Sequence, residues 1–285
     1  MKLVESAKTT IDNFQQKHAY VGFPVAVVKR YGDDKAGREA SLIAYYAFLA
    51  LFPLMMVFIT VVSIVISNDP QLQARVSGEV FRYFPALGSR LEGSVHTLKG
   101  SGVPLILEIL ALLFGTRGLA VTLQESFNTV WHVEKEHRPS FIGDNLRSLS
   151  MVVAAGTVII AGTLISYALG GILDFGIIGT VLIAVVNLAI ISGLFFVVFR
   201  LGTSNRIKSH WLIPGALIAG FGQQIVQHFG VRIMSHQLPK LSDSYGTFAL
   251  ALGMMFWIYL QAQIILYALE ITAVRAQKDW PKKLF

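Results

Sequence analysis

The sequence predicts an all-α fold: a polytopic membrane helical bundle of six transmembrane helices, with amphipathic helices lying at the interface. Three observations carry this. Hydrophobic residues fill 54% of the 285 positions and charged residues only 14%, where a soluble domain carries about a quarter charged. Mean hydropathy is +0.59. The apolar residues are gathered into blocks separated by short polar connectors, and each block reaches the ~20 residues a helix needs to cross the hydrocarbon core. A helix is also the open-chain way to satisfy the backbone there.

The blocks fall at roughly 42–67, 103–124, 148–170, 177–199, 211–231 and 247–272. The third and fourth are separated by a few residues around Asp174, which predicts a tight hairpin. The chain divides into an N-terminal segment with an interfacial helix (1–40), the six-span domain (41–275) and a basic tail (276–285). The longest connector, about 35 residues, is too short for a core of its own. The first 40 residues hold no apolar run followed by a small-residue cleavage site, so the first span is expected to act as its own insertion signal.

Charge sets the orientation. Seventeen Lys and Arg fall on the side that carries both termini and six on the other. The positive-inside rule places both termini in the cytoplasm. The net charge of +7 is then mostly a topology signal. No basic stripe with interleaved aromatics suggests a nucleic-acid partner. Trp131 closes span two and Trp211 opens span five, both at the expected inner interface, where amphipathic rings prefer to sit. Trp257 falls near mid-membrane and reads as a packed bundle residue. In 71–98, Leu72, Val76, Val80, Phe84, Leu87, Leu91, Val95 and Leu98 recur at three and four, with Pro85 as a kink. That is one apolar helical face. FPVAVVKRY (23–31) has a similar character. Each segment fits either a membrane surface or the side of the bundle.

The polar groups inside the spans are the candidate site. Arg117 lies 14 residues beyond Val103, about 21 Å along the helix and in the inner half of the core. Gln124 and Asn128 fall within about 20° of the same face. The stripe should face the bundle or a wet cavity, since an Arg facing lipid at mid-bilayer costs about 2.5–3.5 kcal/mol. Three roles are open to Arg117: reaching back to the inner surface, pairing with Glu125 or Glu270, or binding an anion such as a lipid phosphate. Span four carries Asn187, span five Gln223, Gln224, Gln227 and His228, and span six Gln261, Gln263 and Glu270. These amides can line a path or act as interhelical glue at about 0.6 kcal/mol each. Pro53 should bend span one and free a carbonyl. Gly215 with Ala219, and Ala216 with Gly220, are small pairs four apart that favour close helix contact.

Much chemistry is missing from the sequence. No cysteine is present, which excludes disulfides and thiolate catalysis. The seven histidines show no metal-ligand spacing. There is no Walker loop, nucleophile elbow or dinucleotide fingerprint. No metal, cofactor or enzymatic activity is expected.

Four stretches then resemble a known family. SLIAYYAFLALFPLMM (41–56), ESFNTVW (125–131), WLIPGALIAG (211–220) and YGTFALALGMMFWIYLQAQIILYALEITAV (245–274) are similar to the YihY/BrkB family of bacterial inner-membrane proteins. One departure is ALE at 268–270, where Leu269 stands for the family's usual Ala after Gly. The resemblance implies a six-span protein of the bacterial inner membrane with cytoplasmic termini, and a connection with envelope lipids and export. The family's older ribonuclease label is not expected to apply, because a metal nuclease needs a His and Asp cluster that is lacking here. The reading that follows is transport or translocation of a lipid or anionic envelope-related substrate. Arg117 would hold an anionic head group, Gln124, Asn128, Asn187, Gln223, Gln224 and Gln261 would line the way, and Glu270 would be a counter-charge or proton site. Membrane lipids, anionic ones among them, are the expected partners. The alternative is a non-transporting scaffold or regulator of envelope maintenance, working as a homo-oligomer or with an envelope-protein partner.

Overall fold

The computed structural model describes residues 19–65, 71, 102–134, 141–172, 176–203, 207–245 and 247–280. All regular structure among them is helical: α1 (Ala19–Asp33), α2 (Ala36–Val65), α3 (Gly102–Val130), α4 (Phe141–Ile172), α5 (Gly176–Gly202), α6 (Ser209–Tyr245) and α7 (Thr247–Gln277). Every predicted span falls on one of α2 to α7. Two stretches, Ile178–Gly202 and Ala251–Gln277, are long and apolar enough to cross a membrane. The helices extend beyond the apolar blocks, chiefly at the end of the bundle where α1 sits. There, capped polar turns continue the helical ladder past the hydrophobic run. The amphipathic segment at 71–98 (Gln71 apart), Asp174 and the tail beyond Trp280 lie outside the described residues. The helix α2 runs through position 53, and the side chain of Pro53 lies outside them too.

Close packing rests on small residues. A Cβ on Gly215 would meet Thr272 and the Ala268 carbonyl, one on Gly222 would meet Ile264, and one on Gly230 would meet Trp257. These glycines recur every two turns along α6 while their partners step back along α7, which fixes an antiparallel register. Gly220 abuts Ser192 on α5, so α6 is held between α5 and α7. This bears out the small pairs read from the sequence. Gly162 against Ile190 closes the α4–α5 hairpin, and Gly118 abuts Tyr46 between α3 and α2. Trp257 is buried over Gly230, as a packed residue should be. Trp131 lies in the core with Phe127, Phe199 and Leu269.

The core is uneven. Near the α1 end, Ile43, Phe127, Val130, Met151, Phe195, Phe199, Leu212, Leu266 and Leu269 are buried together. Toward the far end, Ile178, Val181, Leu182 and Val185 of α5 are exposed, as are Leu164 and Ile165 of α4 and Phe221 and Ile225 of α6.

Candidate functional site

The most densely bonded polar centre among the described residues is one that sequence reasoning missed. In the sequence Arg30 is only one of the basic residues on the side of both termini, yet its side chain has no exposed surface. Phe23, Ala26, Val27 and Arg30 share one face of α1 at helical spacing, and that face packs on Tyr267, Ile271 and Val274 of α7. A charge on an apolar helical face was the available signal. Arg30 Nη2 donates to the Val130 carbonyl at 2.6 Å. Nη1 donates to Gln277 Oε1 at 2.7 Å and to Asp279 Oδ2 at 3.1 Å. Nε lies 3.2 Å from Glu270 Oε2, itself fully buried, and 3.7 Å from Asp34 Oδ2. One guanidinium thus meets the Val130 carbonyl at the end of α3 and holds the end of α7, where cations are favoured by the helix dipole.

The helix ends are shaped to deliver these groups. His132 and Lys278 adopt left-handed φ values of 52° and 54°. The amides of Val133 and Asp279 reach back five residues to Asn128 and Val274, the bonding of a Schellman cap. The turn after α3 aims His132 Nε2 at Asp34 Oδ1, 3.2 Å away, and the turn after α7 aims Asp279 at Arg30. Tyr31 stacks on Tyr267 with ring centroids 3.9 Å apart. Burial, reinforced by Tyr267, Tyr259 and Glu270, pushes the Tyr31 phenol above its ordinary range.

This bears on two expectations. Glu270 is paired with Arg30, a partner the sequence reading does not name for it. The stripe Arg117–Gln124–Asn128 is also divided: Gln124 and Asn128 are buried, whereas Arg117 and Glu125 are exposed. Gln124 donates to Ser148 Oγ at 3.0 Å, joining α3 to α4. Two turns farther out, about 10 Å along the helix, the matching positions are Arg117 and Ala155, of which Arg117 is exposed and Ala155 half-buried.

The other predicted residues are only partly brought together. Gln223 is buried on the inward face of α6, between the directions of α5 and α7, and its Oε1 has no hydrogen-bond partner. Ser192, one turn toward the α1 end, has a buried hydroxyl in the same state. Gln224 and Gln261 are half-buried. Asn187, also half-buried, lies at the level of Gln224, about 140° round α5 from Ser192. It therefore does not point at α6. Among the described residues no three His, Asp or Glu side chains gather as metal ligands.

Long apolar helices, glycine-mediated packing and a buried polar clamp define an all-helical membrane protein. The family model for virulence factor BrkB matches residues 27–283, and the chain belongs to that family. It is 21% identical to the inner membrane protein YhjD of Escherichia coli (strain K12), over 98% of this chain and 88% of that one. It is 22% identical to a UPF0761 membrane protein of Pseudoalteromonas atlantica, over 83% and 80%. With a UPF0761 membrane protein of Pseudoalteromonas translucida the identity is 26%, over 88% and 85%. No solved structure matches the chain.

Proposed function

We propose that α2 to α7 all span a bacterial inner membrane with the α1 end in the cytoplasm, and that the protein translocates an anionic lipid. The observation that carries this reading is Arg117, an exposed guanidinium on an otherwise apolar stretch of α3. A phosphate head group suits it, since a hydrogen bond to a charged group contributes about 1.5–3 kcal/mol and Arg can make two in parallel. The polar head would pass the guanidinium while its chains stay in the bilayer. Gln223, inward-facing and with an acceptor unmet, supports a polar route through the interior, flanked by the half-buried Gln224 and Gln261. The test is transbilayer movement of fluorescent phosphatidylglycerol in liposomes. Arg117→Ala should reduce the rate at least tenfold while folding normally. Equal rates for variant and wild type would remove the basis for the reading.

A further inference from the structure

We propose that α1 is a two-sided anchor: one face is fastened to α7 and the other enters the anionic inner surface of the membrane. The inference rests on the spanning bundle of the preceding reading, with the α1 end inward, and not on lipid translocation.

Residues 19–28, AYVGFPVAVV, hold no charged side chain and no polar side-chain group but the Tyr20 hydroxyl. A helix covered by its bundle on one side keeps polar residues on the other, whereas one that is apolar all round needs apolar surroundings on both. Protein supplies them on one face only. Phe23, Ala26 and Val27 pack with Tyr267, Ile271 and Val274 of α7, and Tyr31 stacks on Tyr267. A second ridge, Tyr20, Pro24 and Val28, runs at four-residue spacing, with Pro24 about 120° round the helix from Arg30. All three are exposed, Tyr20 by 74% and Val28 by 61%.

The level of α1 along α7 says what meets that ridge. The spanning stretch of α7 begins at Ala251. Tyr267 lies about 24 Å along the helix from there and Val274 about 35 Å, so the ~30 Å hydrocarbon core ends between them. The α1 contact covers this same interval. Aromatic residues with a polar edge collect at such a boundary: Tyr20 is exposed on the ridge, and Trp280, exposed as well, stands edge-on to Phe23 at 6.0 Å between ring centroids. The charge fits an anionic surface. Within residues 20–40 and 267–280 the exposed charges are Lys35, Arg38, Arg275 and Lys278 against Asp33 alone. An apolar ridge with cations beside it is the pattern of a helix lying in the plane of an anionic lipid surface.

The absence of cysteine makes a clean test possible. The full chain carrying Tyr20→Cys, Val28→Cys or Val185→Cys, one at a time, bears a single nitroxide in liposomes of phosphatidylglycerol and phosphatidylcholine. Collisions with oxygen, which collects in lipid, are compared with collisions with a water-soluble nickel complex. Val185, exposed on α5, reports whether the bundle spans the bilayer. At positions 20 and 28 oxygen should dominate, at a depth of about 5–10 Å below the head groups, with position 185 deeper. Replacing phosphatidylglycerol by phosphatidylcholine should move the two α1 labels outward. Nickel dominating at 20 and 28 while oxygen dominates at 185 puts the ridge in water, and overturns the proposal with the spanning reading intact. Few collisions of either kind at 20 and 28 put the ridge under protein, and overturn it likewise. An unchanged depth in phosphatidylcholine overturns the preference for anionic lipid. Nickel dominating at all three positions overturns the spanning reading itself and the proposal with it.

Discussion

Replacing Arg30 with methionine separates a buried charge network from ordinary packing. Met matches the length of the side chain but removes its charge and all its donors. The loss comprises hydrogen bonds to Val130, Gln277 and Asp279 and the contact with Glu270, both members of that pair having no exposed surface. Breaking a buried pair by removing one partner costs about 3–5 kcal/mol, because the remaining charge is stranded. At about 2–4 °C per kcal/mol for a chain of a few hundred residues, the midpoint should fall by on the order of 10 °C. The double variant Arg30→Met with Glu270→Met strands no charge at position 270 and should recover more than half of the loss. The assay is thermal unfolding of detergent-solubilised protein followed by circular dichroism. A single-variant loss under about 1 kcal/mol, or a double variant less stable than the single, would refute the reasoning, since a surface ion pair behaves in the first way.

Further outcomes follow from the packing and the polar interior. Gly215→Ala should destabilise by about 1–3 kcal/mol, because its Cβ meets Thr272 and a backbone carbonyl, whereas Gly156→Ala should leave the melting temperature unchanged. Gln223→Leu removes a buried acceptor with no partner; unfolding should show equal or higher stability, by up to about 1–3 kcal/mol, while lipid movement falls. The Tyr31 phenol is raised above its ordinary range, so the folded state holds a proton that the unfolded chain releases near pH 10, and stability declines as pH rises from there. Tyr31→Phe should lessen that alkaline decline in a pH series of melts; an identical decline would show that another group causes it.

The helices were legible in the sequence because length and hydropathy alone mark them. The glycine contacts were partly legible: Gly215 and Gly220 stood in small-residue pairs, but Gly230 had no small neighbour at the right spacing and its partner Trp257 is 27 residues away in sequence. Arg117 was found by composition and misplaced by phase. Helical periodicity gives a direction around α3 but not which neighbouring helix covers it at each level. Glu270 was chosen as an intramembrane acid, yet its partner lay in a segment where every basic residue had already been explained by topology. A charge count treats Lys29 and Arg30 alike; only the packed face of α1 distinguishes them, and that face depends on α7.

The measurement that bears most directly on the lipid reading is native mass spectrometry of the detergent-purified protein, wild type beside Arg117→Ala, scoring co-purified lipid. An exposed Arg117 guanidinium that holds a phosphate head should bring an anionic lipid through purification in the wild type and lose it in the variant, with the folded mass and oligomeric state unchanged. Identical lipid profiles in the two proteins would show that Arg117 holds no head group, and the proposal of lipid translocation would have to be withdrawn.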